Sequence, residues 1–179
     1  MLVCSDFPFV DHLLGQYAEA LGQDFAGYRN HVTRVLNFLF AIAPQLGDVR
    51  KQVLVAATFH DLGIWTDRTF DYLGPSKRLA LEYLGSSGLS HLAPEVEAII
   101  QHHHKIRPYT GPFSSTVEPF RRADLVDLSV GLIRSGIDTH FLHAVKTAFP
   151  NAGFHARLTM LSARQLIRSP LRPLPMVHW

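Results

Sequence analysis

A chain of 179 residues, 47% hydrophobic and 18% charged, has the size and composition of one folded soluble domain, which excludes a disordered segment and a membrane-embedded one. The net charge of +2 is too small to argue for a nucleic-acid partner, and the single cysteine, Cys4, excludes an intramolecular disulfide and a cysteine-based zinc cluster. Eleven histidines are the compositional outlier, so their placement must decide what they do.

The opening MLVCSDFPFVDH has no basic start followed by an apolar stretch, which predicts a cytoplasmic protein without a signal peptide. The longest largely apolar run, Val35 to Pro44, is about half of what a bilayer requires. Between breakers, apolar residues recur at intervals of three and four and nowhere alternate as a half-buried strand does, so the fold class is all-α, one domain of about seven or eight helices over 1–179. A first helix is predicted from Phe9 to Leu21. A second runs from Phe25 to Ala43, with Asp24 as its cap and Pro44 as its stop. A third begins near Asp48, carries VLVAATFHDLG and ends at Gly63, which makes it the buried central helix.

After a loop around Ile64 to Leu73, a fourth helix starts near Pro75 and ends before Ser86-Ser87-Gly88. A fifth follows Pro94 into the triple histidine His102 to His104. RPYTGPFSST is a loop, and Ser115 with Glu118 has the form of a capping box that puts Pro119 in the first turn of a sixth helix reaching Ser135. Helices from Asp138 to Phe149 and Phe154 to Ile167 follow. The metal-site core is thereby expected over 25–135, the C-terminal helices over 138–167, and an extended, proline-rich tail over 168–179.

The sharpest local signal is His60-Asp61, an ionisable pair closing an apolar helix, because burying both without partners costs several kcal/mol. Neighbours on a helix point about 100° apart, so both can face one ion only where the helix is ending. His31 and Asp124 likewise stand beside apolar stripes in YRNHVTRVLNFLF and PFRRADLVDLSVG. Two nitrogen and two oxygen ligands suit a borderline or hard divalent ion, although only tertiary folding could bring them together.

YRNHVTRV, then FHDLG, then RRADLVDLS resembles the ordered H…HD…D signature of HD-domain metal-dependent phosphohydrolases. The resemblance implies metal ligation by His31, His60, Asp61 and Asp124, with a bound ion (Mn, Mg, Co, Ni, Zn or Fe(II)) activating water. Two-metal members of this superfamily carry further histidines, but one of the positions concerned falls near Ser76 here, so a single divalent ion is expected. The resemblance also supplies the substrate class: a small phosphate ester or nucleotide.

Asp61 is the expected water-orienting residue. The helical phase from Val96 and Ile99 puts His103 on the apolar face, His102 at its edge and His104 outward, so His102 and His103 are expected to meet substrate and His103 to join catalysis. Lys77 and Arg122 are the preferred phosphate-binding cations, Lys77 with a catalytic part. Asp67 and Asp71 are read as loop residues, and His140 and His143 as surface ones. The partner is a small molecule, no membrane is involved, nucleic acid is disfavoured, and a homo-oligomer is compatible with the sequence. The rival readings are a hydratase or hydrolase of a small non-phosphate molecule on the same metal, and a non-catalytic ligand-sensing helical module.

Overall fold

The computed structural model describes residues 2–47 and 50–177. Among them there is no strand, and the α-helices are α1 Pro8–Gly15, α2 Ala18–Leu21, α3 Phe25–Ile42, α4 Arg50–Phe59, α5 Gly63–Thr66, α6 Leu73–Ser86, α7 Ala93–His102, α8 Ser114–Leu128, α9 Thr139–Ala148 and α10 Phe154–Arg168. The expected all-α class holds. Eight of these helices span eight residues or more; the two four-residue helices arise where the sequence reading carried a helix through a turn.

The predicted first helix breaks at Gln16 and Tyr17, whose N–H groups bond back to the Leu13 and Leu14 carbonyls in tight turns. The break lets the Tyr17 ring sit edge-on to Phe59, 5.8 Å away. Asp24 does not cap α3 with its side chain; its carboxylate accepts from the indole N–H of Trp65 instead. The expected start at Asp48 lies outside the described residues. Gly63 does not end the third helix in a left-handed cap but opens α5, and its lack of a side chain has another cause. A Cβ there would lie 2.7 Å from the Tyr72 carbonyl and 2.9 Å from the Ser76 nitrogen, so only glycine lets this turn press against the start of α6.

The capping box also fails to form. α8 starts at Ser114 after Phe113 in a left-handed conformation (φ 60°), and Pro119 lies inside the helix. Glu118 turns away to accept from the Tyr109 backbone N–H and from Arg121. α8 itself ends at Leu128, short of the expected Ser135, in a turn where Gly131 takes φ 82°.

The core is continuous. α3 packs along α8, α4 along α7, and α7 also meets α6 and α8, so α3, α4, α7 and α8 surround one point near the C-terminal end of α4. Val32, Val35, Leu36, Val53, Ala56, Ile99, Ile100, Phe120 and Ala123 are fully buried between them. The tail is not simply extended. It folds back through turns, and Met176 is buried at 4% exposure. No helix among the described residues is long and apolar enough to cross a membrane.

Candidate metal centre

α4 ends at Phe59, so His60 and Asp61 lie on the turn before α5, where successive side chains can face the same way. Both are buried, as are His31 from α3 and Asp124 from α8. His31 Nε2 lies 2.9 Å from His60 Nε2. The Asp61 Oδ2 and Asp124 Oδ1 atoms stand 3.6–3.7 Å from both nitrogens. Four donor atoms from three regions of the chain thus converge on one buried point.

The tautomers show why. His31 Nδ1 meets Asp127 Oδ2 at 2.7 Å, and His60 Nδ1 donates to the Ala57 carbonyl at 2.7 Å. With both Nδ1 protons engaged, each Nε2 directs a lone pair inward, and two lone pairs 2.9 Å apart repel unless a positive charge lies between them. In the metal-free chain that charge is a proton on His60. Burial resists it, but the Asp61 and Asp124 carboxylates outweigh burial and hold the His60 pKa up to about 9. His31 moves the other way, lowered chiefly by burial. Both carboxylates stay ionised: burial would raise Asp61, but His60 and then His103 hold it well below the usual range, and Asp124 is lowered by the same histidine cluster. Asp61 Oδ1 and both Asp124 oxygens have no hydrogen-bond partner. Two ionised carboxylates with orphaned oxygens beside two inward imidazole lone pairs fit a divalent cation.

The profile of the HD domain family matches residues 28–129, more than half of the chain. The chain belongs to the HD domain family. No curated protein and no solved structure matches it.

In this HD domain the bond that aims His31 belongs to a larger network. Asp127 also receives a bidentate bond from the buried Arg34, Nε to Oδ1 at 2.5 Å and Nη2 to Oδ2 at 2.8 Å. Arg34 and His31 hold the Asp127 carboxylate far below the usual range against the effect of burial. Neither Asp127 nor Arg34 was expected as a functional residue, yet each lies three residues beyond an expected ligand on the same helix, the spacing that shares a face. Tyr28 supports the other side: its hydroxyl donates to the Thr58 carbonyl and accepts from the Asp61 N–H.

His103 and His104 make a second group with Asp61, their ligand atoms close enough to share one ion. His103 Nδ1 donates to the Ile100 carbonyl, leaving its Nε2 without a partner 3.3 Å from Asp61 Oδ1. His104 does not point outward as the helical phase implied. α7 ends at His102, so the phase no longer applies, and the turn brings His104 Nδ1 to 3.6 Å from Asp124 Oδ2. The Tyr72 hydroxyl lies 2.6 Å from His104 Nε2. Burial first, then the neighbouring His103 imidazole, pushes His104 down to about 3, so it is neutral.

The remaining expected site residues lie elsewhere. His102 leaves the cluster and stacks on Tyr109, ring centroids 4.6 Å apart. Lys77 pairs with Glu97 across α6 and α7 at 3.4 Å. Arg122 donates to the Ser135 carbonyl at 2.6 Å. Asp67 accepts from Arg78, and Asp71, His140 and His143 are exposed. Arg122 is two positions before Asp124 on α8, a spacing that turns it away from the buried ligand's face, and Lys77 lies on α6, which carries none of the four ligands.

Asp61 and His104 open onto a cavity of about 270 Å³ whose walls include Phe70, Tyr72, Leu128, Leu158 and Met176. No lysine or arginine among the described residues lines it, whereas an adjoining cavity of about 400 Å³ against His103, His104 and Asp124 has Lys105 and Arg121 on its wall. His155, also on its wall, donates to the Asp127 carbonyl.

Proposed function

We propose that this HD domain is a metal-dependent hydrolase that cleaves a small phosphate ester or nucleotide. The observation that carries the reading is the convergence of His31 Nε2, His60 Nε2 and the Asp61 and Asp124 carboxylates, with both imidazoles locked in the ligating tautomer. These four residues would hold one divalent ion. When bound, such an ion supplies a water of lowered pKa, toward about 7, and neutralises charge on phosphoryl oxygens.

The chain's own residues do the rest. Asp61 Oδ1 and His103 Nε2, 3.3 Å apart and otherwise without partners, are the acceptors placed to orient an attacking water and take its proton. Neutral His104, bonded to the Tyr72 hydroxyl, borders the cavity and offers hydrogen bonds to the substrate. Phe70, Leu128 and Met176 give the cavity apolar walls. Since neither Lys77 nor Arg122 lines this cavity, the task assigned to them, stabilising phosphoryl charge, passes to the ion.

The apolar walls of the cavity at Asp61 and His104, with no lysine or arginine among the described residues that line it, favour a second reading, a hydrolase or hydratase of a small uncharged molecule on the same centre. Purified protein loaded in turn with Mn, Co, Ni, Zn and Fe(II) and screened against phosphate esters and nucleotides separates the two. Phosphate release that disappears on chelation is expected. No release with any ion, together with turnover of amides or nitriles, would establish the second reading, and no turnover of either class would leave a ligand-sensing module.

A further inference from the structure

A second cavity, of about 400 Å³, lies against α10, and Phe70 lines both it and the metal-site cavity. Four arginines line it: Arg157, Arg164 and Arg168 from α10, and Arg68 from the loop after α5. The three on α10 are spaced by seven and four residues, which puts them on one helix face. Among the described residues no carboxylate lines the cavity. Arg157 has a counter-ion, with Nε 3.1 Å from Asp24 Oδ2. The side chains of Arg68, Arg164 and Arg168 make no hydrogen bond or ion pair with any described residue. Arg68 moreover sits at φ 52°, a left-handed conformation that an arginine rarely adopts.

We propose that this cavity is a binding site for a small oligophosphate anion, distinct from the metal centre. Three uncompensated guanidinium groups around one concavity repel each other and focus a positive potential on its interior. Guanidinium forks match phosphate oxygens in pairs. Three forks exceed what one orthophosphate needs and balance the charge of a diphosphate. The enclosed volume suits a small molecule, and Trp65, 6% exposed, gives the cavity an apolar wall beside the arginines. The site stands whether or not the metal centre hydrolyses phosphate esters.

Trp65 also provides the readout. The chain has two tryptophans, so Trp179→Phe leaves Trp65 as the sole indole. This full-length protein, freed of metal by chelation and dialysis, is titrated with sodium pyrophosphate at low ionic strength while Trp65 emission is followed. A saturable change is expected, weakened by added salt, and roughly tenfold weaker for orthophosphate. Arg164→Ala, an exposed helix position where alanine is favoured, and Arg68→Ala should each weaken it by about tenfold or more, whereas Arg134→Ala, whose side chain bonds Thr139, should leave it unchanged. Absence of a saturable change, equal weakening by Arg134→Ala, or tighter binding of a single-stranded oligonucleotide than of pyrophosphate would overturn the proposal.

Discussion

The two sides of the histidine–aspartate cluster are held differently. On the α3–α8 side both imidazole ligands are fixed from behind: Asp127 and Arg34 hold His31, and a backbone carbonyl holds His60. On the α7 side His103 has one backbone anchor, and His104 leans on a tyrosine hydroxyl that itself borders the cavity. The first arrangement suits ligands that must not move. The second suits groups that exchange protons or meet substrate, a division that substitutions on the two sides can break.

The largest effect should come from the fixed side. Asp127→Ala strips Arg34 of its bidentate partner while leaving it 2% exposed, so it should cost about 3–5 kcal/mol in urea unfolding. Releasing His31 should also weaken metal binding by about 10- to 100-fold in calorimetry. If Asp127→Ala leaves both stability and affinity intact, the two sides do not differ in the way described.

On the α7 side, His103→Ala and His104→Ala should each lower turnover by about 100-fold while metal content changes little. His102→Ala, stacked on Tyr109 outside the cluster, should stay within about twofold of the parent. Equal losses for all three would erase the distinction between cluster and surface.

Metal binding should depend on pH through the fixed side. His60, held up to about 9 in the metal-free chain, must give up its proton to present Nε2 to an ion. The proton is therefore a competitor below that pKa, and apparent affinity should climb as pH rises from about 6.5 to 9, by up to about tenfold per unit. Affinity that is flat or falls across this range, measured by calorimetry in non-coordinating buffers, would contradict the tautomer assignment.

The smallest effects are expected at Lys77 and Arg122. Lys77→Ala and Arg122→Ala should change the rate of phosphate release by less than about twofold, because their side chains are turned to Glu97 and Ser135. A loss of about 30-fold or more would restore them to the site.

The sequence made the helices and the four candidate ligands legible because each depends on local pattern: period-3.6 burial, and ionisable residues that interrupt it. It made Gly63 legible as special for the wrong reason, since close packing on Tyr72 and Ser76 is a tertiary fact. Asp127 could have been found from its spacing to Asp124. Tyr72 and His155 could not, because loops and a separate helix bring them to the cavity. Helical phase does not place His104, because α7 ends two residues before it, at His102. The arginines around the second cavity are scattered over a hundred positions of sequence, and only the packing of α10 collects them.

His31, His60, Asp61 and Asp124 are together assigned one divalent ion. Elemental analysis of the purified, metal-loaded chain beside Asp61→Ala tests it directly, with circular dichroism as the check on folding. About one ion per chain in the parent, and none in Asp61→Ala with its helical signal retained, is the predicted result. Two tightly held ions would contradict the single-ion count and assign His103 and His104 to a second metal, while no ion in the parent, or an undiminished ion in Asp61→Ala, would contradict the site itself.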